Sequence, residues 1–133
     1  MLRLAAAVLV AVLPAAAAAE IIPPAEFEAL SEGRTLTFDK GGTFYGAEQY
    51  GPNRYSLWQD ATGDCAEGSW FPAGDAICFV YDRQPDPICW IFERRDGDYF
   101  ARVAGTLPRD ASEIRLREII DEPLSCPAPD LGV

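Results

Sequence analysis

Histidine is missing from the 133 residues, and lysine occurs once, as Lys40. Without histidine there is no Ser-His-Asp or Cys-His arrangement for nucleophilic catalysis. A zinc site would have to be built from thiolates alone, and the spacing C-x12-C-x10-C offers no close pair. A glycine-rich phosphate loop is absent too, since Gly41, Gly42 and Gly46 do not precede a helical pattern. The acids Asp60 with Asp64, and Asp96 with Asp98, fall in predicted turns and fit no calcium-loop spacing. No metal and no cofactor is therefore expected. Positive charge is scarce: 11 Lys and Arg stand against 21 Asp and Glu, a net charge of −10. Nucleic acid and anionic membrane demand clustered cations, so the balance speaks against both and leaves a cationic protein as the electrostatically suited partner.

Long apolar runs are also lacking. The longest, residues 4–13, falls short of the roughly 20 residues a spanning helix needs. With Arg3 before it, Pro14 after it and Ala17-Ala18-Ala19 as a small-residue cleavage site, residues 1–19 read as a secretory signal peptide. An uncleaved anchor is the alternative. The expected product is periplasmic or secreted, with no membrane span after cleavage. What remains is the size of one domain. It divides into a linker and short helix over residues 20–32, a β domain over residues 33–120 and an irregular tail over residues 121–133.

What the chain does have is concentrated in residues 65–92, which hold three of the four cysteines and two of the three tryptophans. Residues 72–75 (PAGD) carry turn chemistry, pairing Trp70 with Ile77 and Gly68 with Phe79. A second turn around Arg83 and Gln84 brings Cys78 opposite Cys89 and Ile77 opposite Trp90. Alternation then sorts the side chains, because successive residues of a strand point to opposite faces. One face collects Trp70, Ile77, Phe79, Tyr81, Trp90 and Phe92; the other carries Ser69, Cys78, Val80, Cys89 and Ile91. This register predicts the disulfides Cys78–Cys89 and Cys65–Cys126, as exported domains favour. The aromatic row is read as core, or as the lining of a ligand cavity by Trp70, Phe79, Tyr81 and Trp90.

The rest of the chain extends the same pattern. Residues 25–32 (AEFEALSE) place Phe27 and Leu30 on one side of a short helix that ends at Gly33 and caps the strands. Strands follow over residues 35–39, 43–50 (bent at Gly46) and 54–59. After Phe92, Asp96-Gly97 carries a two-residue hairpin signal, and residues 99–103 return from it as a strand. Residues 113–120 (EIRLREII) alternate as an edge strand with charges outward, or form a helix. The fold class is thus all-β with one N-terminal helix, an antiparallel meander of about eight strands. Whether it closes as a barrel or stays a strongly curved sheet is left open.

Two further groupings bear on chemistry. Glu48 and Glu67 lie in strand-like stretches and are the candidates for a carboxylate pair of the glycan-hydrolase kind. Arg94, Arg95 and Arg102 converge across the Asp96-Gly97 hairpin and could grip an anion, though Glu93, Asp96 and Asp98 stand close enough to pair with them instead.

The residues Gly33-Arg34-Thr35-Leu36-Thr37-Phe38, Tyr45-Gly46-Ala47-Glu48-Gln49-Tyr50, Cys65 with Gly68 and Trp70, Gly74 through Tyr81, and Cys89-Trp90 resemble a group of small exported alphaproteobacterial proteins without an established function. The resemblance implies export and a compact disulfide-bearing β domain and brings no catalytic residues. In fold class and charge the chain is also similar to periplasmic lysozyme inhibitors, which implies a cationic enzyme as partner. The expected function is a non-enzymatic binding module for a small apolar ligand or a protein. A lysozyme-inhibitor-like protein, a carboxylate-dependent glycan hydrolase and a structural envelope protein are the alternatives.

Overall fold

The computed structural model describes residues 8–14 and 18–127. Part of the expected signal peptide and the last part of the tail lie outside the described residues. The regular elements are β1 (Glu20–Ile21), α1 (Pro24–Ser31), β2 (Thr35–Lys40), β3 (Thr43–Tyr50), β4 (Tyr55–Asp60), β5 (Cys65–Ala73), β6 (Ala76–Tyr81), β7 (Gln84–Arg95), β8 (Asp98–Val103) and β9 (Ile114–Ile120). From β2 to β9 each strand pairs antiparallel with the next, and β9 returns to pair with β2. The result is a closed, eight-stranded up-and-down barrel, which leaves no long edge exposed. Among the described residues no helix is long and apolar enough to cross a membrane.

Closure corrects the reading of residues 113–120 as an edge strand or helix. Strand β9 bonds on both sides, with Phe38 facing Leu116 across β2 and Ala101 facing Ile114 across β8. Its outward arginines are cross-strand partners: Arg115 reaches Asp98 on β8 at 2.9 Å and Arg117 reaches Asp39 on β2 at 3.5 Å. Residues 20–24 are likewise more than a linker. Strand β1 pairs with the upper half of β7, Glu20 facing Arg94 and Ile21 facing Glu93, and Ile22 is buried in the core.

The β5–β6 hairpin slips by two residues from the expected register. Pro72 and Ala73 extend β5, the turn is the Gly74-Asp75 pair, and Trp70 faces Phe79 while Gly68 faces Tyr81. A two-residue slip preserves the faces, so the aromatic row stays inside. Trp70, Ile77, Phe79 and Phe92 belong to the buried core, with Tyr81 and Trp90 packed against it. Cys78 faces Cys89 and Ile77 faces Trp90 as expected, although the intervening turn falls at Asp82-Arg83 with Tyr81 opposite Gln84. The Asp96-Gly97 turn forms with both residues at positive φ, 51° and 82°, the geometry that suits a two-residue hairpin.

Both disulfides form as expected, Cys65–Cys126 and Cys78–Cys89. The first ties the tail to the start of β5. The tail has further anchors: Leu124 N–H donates to Gln49 Oε1 at 2.8 Å, Gln59 Nε2 donates to the Ser125 carbonyl at 2.9 Å, and Thr35 Oγ1 donates to the Glu122 carbonyl at 2.8 Å.

Helix α1 seals one end of the barrel. Pro24 at its first position has the φ a helix needs and no N–H to lose, and Glu26 sits in the first turn where a negative charge is favoured. Phe27 enters the barrel and is fully buried, with its ring 5.4 Å from Tyr50, 5.3 Å from Trp70 and 4.6 Å from Phe92. Arg54, in the β3–β4 turn, clamps this end from outside through its ion pair with Glu28 and its position 5.0 Å above the Trp70 ring.

Candidate functional site: an aromatic cavity around Glu48

The end of the barrel opposite α1 is open to a cavity of about 330 Å³. Tyr50, Phe79 and Phe92 form its floor, above Phe27. Tyr45, Trp58, Tyr81 and Trp90 line its walls with Phe38, Ile88 and Ile114 between them, and Arg83 and Gln84 stand at the mouth in the β6–β7 turn. Two glycines let the large rings lie against the wall. A Cβ on Gly46 would come within 2.3 Å of the Trp58 ring, and one on Gly68 within 2.7 Å of the Tyr81 ring and 2.3 Å of the Val80 carbonyl oxygen. The expected neighbour of Gly68 was Phe79; the two-residue slip puts Tyr81 there instead. Beside Gly46 the β2–β3 register shifts so that Tyr45 is the extra residue of a bulge, which turns β3 inward at the bend predicted there.

Parity along β3 then places Gly46, Glu48 and Tyr50 on the inner face, and Glu48, facing Trp58 across the ladder, is only 2 % exposed. Tyr81 donates its hydroxyl to the Glu48 carboxyl, 2.9 Å from Oε1 and 3.0 Å from Oε2. Burial pushes the Glu48 carboxyl up to about 8, against the smaller downward pull of the Tyr81 and Ser56 hydroxyls. Ser56 Oγ makes no bond of ordinary geometry among the described residues, so its influence is that of a nearby dipole. Glu48 forms no ion pair among the described residues, and no cation contributes to its shift. At neutral pH it holds its proton, because a lone buried charge is costlier than a neutral acid. Burial and the neighbouring carboxyl raise the phenols of Tyr50 and Tyr81 as well.

Of the four residues expected to line a cavity, Phe79, Tyr81 and Trp90 do so. Trp70 does not: it shares their face but lies at the plugged end, 4 % exposed, against Phe27 and beneath Arg54. The Glu48 and Glu67 pair is not assembled. Glu67 is on the outer face of β5, where it accepts from Tyr55 Oη at 3.2 Å, with the barrel wall between it and Glu48. The wall aromatics Tyr45 and Trp58 were missed by sequence reasoning. The signal for Trp58 was the Gly46 and Glu48 parity, which puts the facing residue of β4 inside once β3 is assigned; Tyr45 has the opposite parity to Gly46 and carries no such signal, being the extra residue of the bulge.

The arginine cluster is satisfied internally. Arg94 lies on the opposite side of β7 from Arg95 and bonds Glu20 and Glu26. On the outer wall Glu93 receives Arg102 at 2.8 Å and Arg95 at 3.5 Å, and Arg95 continues to Glu113 at 2.6 Å. The loop over residues 104–113 folds across this chain of charges, with the Thr106 carbonyl accepting from Arg102. No guanidinium of the cluster is left free for an anion.

Among the described residues no group of three or more potential metal ligands converges. No family model, curated protein or solved structure matches the chain.

Proposed function

We propose that this protein is a non-enzymatic binding module that takes a small, largely apolar ligand into the open end of its barrel. The observation that carries this reading is the 330 Å³ aromatic cavity, sealed at one end by α1 and open at the other, with the hydrogen-bonded Glu48 carboxyl and Tyr81 hydroxyl set in its wall. Its size is at the lower end of small-molecule sites, and apolar walls with a few placed polar groups are their usual chemistry. Two disulfides fit an oxidising, extracellular-type compartment. We read residues 1–19 as the signal that takes the chain there, into the periplasm or beyond. The exposed side chains of Val8, Leu9 and Leu13 support their removal, since they add nothing to the core.

Native mass spectrometry of protein purified from its own source tests the reading. An adduct that survives gentle ionisation and is lost on denaturation is expected. A bare mass, together with no change in tryptophan emission on titration with N-phenyl-1-naphthylamine, would sink it.

A further inference from the structure

Resting on that reading, we propose that the cavity is a site for an organic cation, an ammonium group carried on a compact apolar or aromatic body, with Glu48 as its counter-ion. Three features converge on this class. Glu48 is a carboxyl 2 % exposed at the cavity wall, held by the Tyr81 hydroxyl and without a cationic partner among the described residues. An arriving ammonium supplies the missing charge, whereas a neutral or anionic ligand leaves the acid as it was or opposes its ionisation. Around it stand the rings of Tyr45, Trp58, Tyr81 and Trp90, whose π faces attract cations most strongly when water is excluded. The net charge of −10 raises the local concentration of cations around the molecule.

Proton balance follows from the geometry. A permanently charged ammonium enters, the Glu48 carboxyl releases its proton to solvent, and the carboxylate remains as counter-ion with the Tyr81 hydroxyl still donating to it. The groups facing Glu48 are Tyr81 from β6, Tyr50 on its own strand and Ser56 from β4, none of which carries charge in the range of interest, because burial raises both phenols. The cations nearest the cavity, Arg83 at the mouth and Lys40 over the Tyr45 ring at 5.6 Å, are exposed to solvent, where their repulsion is screened.

The test uses benzyltrimethylammonium and its neutral carbon isostere neopentylbenzene, titrated into the wild-type protein and into Glu48→Gln with tryptophan emission as readout. The expected result is at least tenfold tighter binding of the ammonium at pH 8.5. Its affinity should weaken about tenfold per pH unit on going down from pH 7.5 to 5.5, while neopentylbenzene binding stays flat. Glu48→Gln should lose both the preference for the ammonium and its pH slope. If the variant does not fold, the wild-type pH slope alone decides. Equal affinity for the two probes at pH 8.5, or a preference for the isostere, overturns the cation assignment while leaving the ligand cavity standing. Binding of neither probe overturns both.

Discussion

Gly46 lies beneath the indole of Trp58, so close that a methyl group on its Cα would fall 2.3 Å and 2.4 Å from two ring carbons and 2.8 Å from the Gln59 carbonyl oxygen. The flat packing of one cavity wall depends on this contact. Gly46→Ala should destabilise the barrel by about 1–3 kcal/mol, the usual cost of overpacking. Urea unfolding measures that cost, and a shift in tryptophan emission reports the displaced ring.

Glu48 sets a pH dependence of unusual sign. Its carboxyl titrates near 8 in the folded protein against 4.5 in the ordinary range, so between those values the folded state holds one more proton than the unfolded. Stability from this group is full below about 4.5 and is lost as pH rises toward 8, at roughly 1.4 kcal/mol per pH unit. Chemical denaturation of the ligand-free protein from pH 5 to 8.5, compared with Glu48→Gln, should show a downward slope in the wild type that the variant lacks.

Phe27 is the stopper of the closed end. Phe27→Ala should cost about 3–5 kcal/mol through the loss of a buried ring among three aromatic neighbours. Thermal unfolding gives the loss, and faster amide exchange at Tyr50 and Phe92 would locate it.

Glu93 holds two guanidinium groups on the outer wall. Glu93→Gln leaves Arg95 and Arg102 with a neutral partner under the loop of residues 104–113, and a broken buried pair costs about 3–5 kcal/mol. If the cluster were worth no more than an exposed ion pair, the melting temperature would barely move.

The two disulfides should contribute unequally. Cys65–Cys126 closes a separation of 61 residues and Cys78–Cys89 one of 11, so the chain-entropy account gives about 4 and about 3 kcal/mol. Cys65→Ser/Cys126→Ser should also free the tail, seen as lost protection at the Leu124 amide that now bonds Gln49.

The faces of the double hairpin were legible because a period of two survives any even slip. Alternation therefore places Trp70, Phe79, Tyr81 and Trp90 inside even though the pairing across the turn at Gly74 differs by two residues from the expected one. Depth along the barrel was not legible. Parity assigns Trp70 and Trp90 to one face and is silent on which of them meets Phe27 and which the cavity. Glu48 was singled out as a carboxylate but paired with Glu67, because an acid in a strand is ordinarily placed outside. Only the bend at Gly46 and the ring of Trp58 opposite reveal that β3 turns it inward. Closure depended on β9 bonding to β2, a pairing between distant parts of the chain that no local pattern encodes.

That last pairing also orders events in time. Residues 35 and 120 must meet before the barrel is shut, so every shorter nascent chain presents β2 with an unsatisfied flank. Pairings of such long sequence separation form slowly, since loop-closure entropy is spent before the contacts return it. Folding to the closed state is therefore a late event that waits for the last strand, and a chain cut short of β9 should remain open, sticky and a substrate for proteolysis.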